Sequence, residues 1–178
     1  MSPQHDTERE RLLETLRQFD RAVALEHPGC VFELVIVGSG ALVLLGVLSR
    51  PTEDVDAIRF PNELHPLMEA FGLNGRVIHY ETHFPYNFED RRVPVEFPFR
   101  AIRCYTASLE DLVVSKLYSN RDTDASDIRE ADVLSALDWS RLASAVKEAE
   151  LSKMGERSHR DMLYNYEKYR RECGRCES

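Results

Sequence analysis

Between Val35 and Ile58 the chain leaves few folds open. Val35-Ile36-Val37 is an apolar, β-branched run that ends in Gly38-Ser39-Gly40, and Ala41-Leu42 opens a short apolar helix. Arg50-Pro51-Thr52-Glu53-Asp54-Val55-Asp56-Ala57-Ile58 then reads as a second strand with carboxylates at i and i+2. Alternate residues of a strand share a face, so Asp54 and Asp56 sit side by side while Val55 and Ala57 enter the core. Two such carboxylates repel unless one is protonated or a cation lies between them. Oxygen donors of this kind suit Mg²⁺ (or Mn²⁺), which takes one or two carboxylates and fills its shell with water and substrate phosphates.

The turn before the helix suits the other half of such chemistry. Gly38 and Gly40 let the backbone approach a ligand closely, and Ser39 adds a hydroxyl. Peptide N–H groups from Gly38 to Ala41 would open a helix over Gly40–Leu48 and point at an anion. Strand, Gly-Ser turn, helix and Asp-x-Asp strand together read as a phosphate cradle facing a metal site.

Gly38-Ser39-Gly40-Ala41-Leu42, Gly46, Arg50, Thr52 and Asp54-x-Asp56 together resemble the signature of the DNA polymerase β-like nucleotidyltransferase superfamily. Within it they are similar to the small bacterial DUF6036 and abortive-infection-toxin branch. The spacing from Ser39 to Asp54 is slightly longer than usual there, an extra residue in the loop Val47–Arg50, which costs little in a surface connection. The resemblance implies an α+β fold: a mixed β-sheet flanked by helices, with a helical C-terminal extension. It implies a metal-dependent enzyme moving a nucleoside monophosphate from an NTP to a hydroxyl, with Asp54 and Asp56 as catalytic and metal-binding residues. The nucleotide-binding set it implies is Gly38, Ser39, Gly40, Arg50, Thr52 and Lys116. The acceptor would be a tRNA 3′ end or a protein, and a toxin with a cognate antitoxin protein is one form such an enzyme takes. A small-molecule (aminoglycoside-type) transferase and a catalytically silent nucleotide- or partner-binding protein stand as alternatives.

The composition is consistent with this. The net charge of −8 argues against a protein that grips a long polyanion. The local cluster Arg91, Arg92, Arg100 and Arg103 suits instead a triphosphate or the end of an acceptor. No apolar run is long enough to span a bilayer, and the polar start is no signal peptide, so the expected compartment is the cytoplasm. Cys30 and Cys104 lie in apolar, strand-like surroundings and read as buried thiols. Cys173-Gly174-Arg175-Cys176 lacks the second ligand pair that a zinc site needs.

A single domain is expected over 1–178, with a sheet-containing core at about 31–106 and a helical part at about 107–173. The expected helices are Glu8–Glu26, Gly40–Leu48, Asn62–Phe71, Ser108 to Asn120, Ala125–Ala136, Asp138–Ala149 and Glu156–Cys173. The expected strands are Val31–Val37, Asp54–Phe60, Arg76–Tyr80 and Ala101–Thr106, with a turn at Gly72–Gly75. Arg92–Phe99 alternates, but Pro94 and Pro98 make it an edge strand or an irregular extended segment.

Two-metal phosphoryl transfer takes a third carboxylate from a neighbouring strand. Glu96 is the candidate, being the acid on the polar face of Arg92–Phe99, with Glu89 and Asp90 behind it. Lys116 shares a helix face with Leu112 and Leu109, and a buried lysine there needs an anion, which a triphosphate supplies. Asp127 fixes Lys116 or caps a helix. Arg50 touches phosphate, braces Asp54 or pairs with Glu53. His83 reads as a loop surface residue.

Overall fold

The run around Val35 becomes the middle of the sheet because its side chains are apolar on both faces. In β1 (Phe32–Ile36), the consecutive residues Leu34, Val35 and Ile36 are all fully buried. Consecutive strand residues point to opposite faces, so both faces of β1 are covered. The computed structural model describes residues 3–52, 54–151 and 155–173, and their side chains except those of 3–6, 78–80, 150 and 151.

The helices are α1 (Pro3–Glu26), α2 (Gly38–Leu44), α3 (His65–Ala70), α4 (Leu109–Leu117), α5 (Asp122–Arg129), α6 (Ala131–Ala136), α7 (Trp139–Leu151) and α8 (Glu156–Cys173). The other strands are β2 (Val55–Ile58), β3 (Leu73–Asn74), β4 (Val93–Pro94) and β5 (Ile102–Thr106). The sheet order is β3-β2-β1-β5-β4. β1 runs parallel to β5 and antiparallel to β2, β2 is parallel to β3, and β4 is antiparallel to β5. The chain is thus an α+β protein with a mixed sheet flanked by helices. None of the described helices is long and apolar enough to cross a membrane.

Leu12, Leu16, Phe19 and Val23 of α1 bury one helical stripe in the sheet core. The same helix carries Asp20, buried among apolar neighbours because its carboxylate has a task. It accepts the backbone N–H groups of Arg100 (3.0 Å), Ala101 (2.8 Å) and Ile102 (3.0 Å) and fixes the start of β5. Asp20→Ala strands these donors and should cost about 3 kcal/mol in urea unfolding, and Asp20→Asn, which keeps one acceptor, clearly less.

The C-terminal helices bury a second apolar cluster that includes Val133, Leu142, Val146, Met162 and Tyr166. Helix α4 serves both clusters: Leu112 packs into the sheet core, while Val113, Val114 and Leu117 face the second.

Several elements depart from expectation. α2 starts at Gly38 and stops at Leu44, because Gly46 turns the chain at φ +75°. The expected strand Arg76–Tyr80 is absent; Ile78–His83 forms a 3-10 helix, and β3 lies within the expected turn, where buried Leu73 pairs with Val55. The helix expected over Ala125–Ala136 breaks at Glu130 (φ −57°, ψ 134°). Ile128 and Val133 would point about 140° apart on one straight helix, and the break lets both enter the same cluster. Cys104 is buried, whereas Cys30, just before β1, is exposed. Cys176 and Glu53 lie outside the described residues.

Candidate active site

Where β1 hands over to α2, the backbone is tied to β2 by a hydrogen bond from the Val37 N–H to the Asp56 carbonyl at 2.9 Å. Gly38 follows with φ +64°. A Cβ built there would lie 2.9 Å from Asp56 Oδ2, so glycine leaves room for that carboxylate to rest against the turn. Gly38→Ala therefore meets backbone strain and a carboxylate contact together. It should lower stability by about 1–2 kcal/mol in thermal or urea unfolding.

Gly38, Asp54 and Asp56 open onto one cleft of about 200 Å³, shared with Asn74, His83, Lys116, Arg121 and Asp124. Asp54 stands just before β2 and is exposed; Asp56 is half-buried on it. Burial raises the Asp56 carboxyl above its ordinary value. The Asn74 amide hydrogen bond opposes this, the Asp54 charge adds to it, and Arg121 and Lys116 oppose it. Such a carboxylate gains from a neighbouring cation, and a pair of oxygen donors on one cleft wall fits a hard divalent ion. Among the described residues no group of three or more His, Cys, Asp or Glu side chains is placed to hold a metal.

Behind the turn lies a buried ionic cluster. Asp127 is fully buried, and its carboxylate accepts Arg50 Nε at 2.7 Å, Ser39 Oγ at 2.7 Å and Lys116 Nζ at 2.8 Å. Arg50 also reaches Ser39 Oγ at 3.0 Å. Lys116 Nζ donates to Asp124 at 2.6 Å, and Arg121 pairs with the other Asp124 oxygen at 2.8 Å. Burial pushes both aspartates up, but the cations and hydrogen bonds around them outweigh it and hold both carboxyls below the usual range. Three cations thus surround two carboxylates, and of this cluster Lys116, Arg121 and Asp124 line the cleft shared with Asp54 and Asp56.

The remaining expected residues fall as follows. Thr52 supports the acid pair from behind: its hydroxyl donates to the Asp54 carbonyl at 2.7 Å. Gly40 is buried against Leu12, Ile36 and Val55 and packs the helix rather than facing the cleft. Arg50 braces Asp127, not Asp54. Glu96 is not brought to the acid pair. Val95 N–H bonds Cys104 O, which places Glu96 beside β5 at the far edge, with β1 and β5 between it and β2, roughly 14 Å of sheet. Glu89 pairs with Arg59 instead. Arg91 holds Asp111 and Glu148, tying its 3-10 turn (Phe88–Arg91) to α4 and α7, and Arg92 pairs with Glu33 and covers the Tyr105 ring at 4.4 Å.

Asn74 was not singled out from the sequence, Arg121 and Asp124 belong to the stretch Arg121–Ile128 that only partly resembles the family's second motif, and His83, expected at a loop surface, is half-buried in the cleft. His83 stacks on Tyr118 at 5.2 Å between centroids, and burial lowers its imidazole below the ordinary value despite nearby Asp124. Asp124 and Asp127 are one helical turn apart on α5, a spacing that signals a shared partner.

No curated protein and no solved structure matches the chain. Residues 13–173, nearly the whole sequence and including every cleft residue above, match the family described as a nucleotidyltransferase of unknown function (DUF6036). The chain belongs to this nucleotidyltransferase family.

Proposed function

We propose that the chain transfers a nucleoside monophosphate from an NTP to a hydroxyl acceptor, an RNA 3′ end or a protein side chain, with Mg²⁺ or Mn²⁺. The observation that carries this reading is the cleft itself: the acid pair and Gly38 share it with Lys116 and Arg121. In the reaction the acceptor oxygen bonds to the α-phosphorus, the bond to pyrophosphate breaks, and the hydroxyl proton leaves to solvent. Asp54 and Asp56 would hold the cation. When bound, it would neutralise triphosphate charge and polarise the reacting phosphorus.

The chain's own residues do the positioning. Gly38 admits the substrate close to the backbone. Lys116 and Arg121 supply fixed positive charge beside the acids, against which a triphosphate is drawn. Ser39 acts through Asp127: its hydroxyl is turned toward that carboxylate and so anchors the turn. His83, with its lowered pKa, presents a neutral imidazole at neutral pH.

The test is incubation of the protein with each α-³²P-labelled NTP, Mg²⁺, and total RNA or lysate protein. Label fixed in RNA or protein by the parent chain, and absent with Asp54→Asn, supports the reading. Failure to label with any of the four nucleotides rejects it. A second reading, nucleotide binding without transfer, is favoured by the position of Glu96 away from the cleft. It predicts saturable NTP binding with no label fixed.

A further inference from the structure

The strand beside the acid pair carries an amide where a third carboxylate would complete a larger metal site. In the parallel register of β2 and β3, Asp56 stands opposite Asn74. Asn74 Nδ2 donates to Asp56 Oδ1 at 2.9 Å, and Asn74 Oδ1 accepts the Arg76 N–H at 3.1 Å. The second bond fixes which end of the amide is which, because only the oxygen can accept. Asp56 therefore has one oxygen engaged by a donor and Oδ2 turned toward Gly38. The remaining acid of the cleft, Asp124, is already held by Lys116 and Arg121.

From this juxtaposition we infer that Asn74 sets the charge of the site, so that the cleft takes one divalent cation per bound nucleotide and not two. The inference rests on the cleft being a divalent-cation and NTP site. Two carboxylates balance one divalent ion, and the cluster of Arg50, Lys116, Arg121, Asp124 and Asp127 beside them adds one net positive charge, with no carboxylate left over to hold a second ion. An aspartate at position 74 would face Asp56 across a hydrogen-bond distance. It would repel that residue in the metal-free protein and add the donor that a second cation needs.

The experiment is equilibrium dialysis of the full chain against Mn²⁺ and a non-hydrolysable α,β-methylene NTP analogue, with bound Mn²⁺ counted by EPR after acid release. The parent chain should hold one Mn²⁺ per bound nucleotide. Asn74→Asp should hold two, and its melting temperature should fall in EDTA and recover with Mn²⁺. Two Mn²⁺ per nucleotide in the parent overturn the inference, and leave the proposed function standing if the label assay is positive. A well-folded Asn74→Asp chain that still holds one also overturns it, because Asn74 then does not set the count. If that variant does not fold, the parent count alone decides. No bound Mn²⁺ and no bound analogue would sink the inference together with the functional reading.

Discussion

Asp54→Asn and Asp56→Asn should each cut nucleotide transfer by at least roughly 100-fold while leaving the melting temperature unchanged or raised. The two halves of this expectation have one cause. The carboxylates open onto the same cleft, and the Asp54 charge adds to the cost of ionising Asp56. Asp56 carries the larger burden because burial already pushes its carboxyl upward. A group whose folded pKa is raised in this way disfavours the fold once ionised, and the penalty disappears as pH falls through the folded pKa. The change Asp56→Asn would remove that penalty at neutral pH and still offer a carbonyl to the Asn74 amide. Thermal unfolding with and without Mg²⁺, paired with the labelled-nucleotide assay, reads both halves. Clear destabilisation of both variants would mean that these acids hold the structure together and are not a functional pair.

Lys116→Ala should be the most damaging single change to stability near the site, about 3–5 kcal/mol in urea unfolding. The ammonium lies buried between Asp124 and Asp127, with Ser39 Oγ further off at 3.4 Å. Its removal leaves two buried aspartates, of which Asp127 keeps Arg50 and Asp124 keeps the more exposed Arg121. Lys116→Arg should recover only part of the loss, since a planar fork cannot replace a compact ammonium between two carboxylates. The pH dependence follows from the lowered carboxyls of Asp124 and Asp127. Their contribution is fully present above the unfolded-state value of about 3.9 and is lost as pH falls through the folded values below it. The parent should therefore lose stability steeply only in that acid range, and Lys116→Ala should show a shallower acid limb. If Lys116→Ala instead matches the parent in urea and loses only NTP affinity, the lysine belongs to the substrate rather than to the two aspartates.

The parts of this architecture that local pattern encodes were legible in the sequence. The β-branched run, the glycine turn and the i, i+2 acids placed β1, α2 and β2, and Ser108 does cap α4, accepting the Asp111 N–H at 3.2 Å. Pairings across the chain were not legible. Arg50 and Asp127 are 77 positions apart, and nothing near Arg50 distinguishes a brace on Asp127 from one on Asp54. The neighbour of β2 escaped because β3 is only two residues long, too short to show alternation, and it follows a glycine turn. Glu96 was favoured by a clear period of two, but periodicity says which face a side chain takes and not which edge of the sheet its strand joins.

The Ser39–Arg50–Lys116–Asp127 cluster also restricts how a lineage of such proteins can change. Its members come from α2, the loop before β2, α4 and α5, so exchanging one segment for a relative's that differs there carries a mismatched charge into the interior. A neutral residue at 127 leaves Lys116 to Asp124 alone and takes from Arg50 its carboxylate, and a neutral residue at 116 leaves Asp127 to Arg50 and Asp124 to Arg121. Divergence at these positions is therefore favoured through paired replacements. Chimeras with a relative that differs at these positions should accordingly be less stable when the junction falls between Ser39 and Asp127 than when residues 39–127 come from one parent.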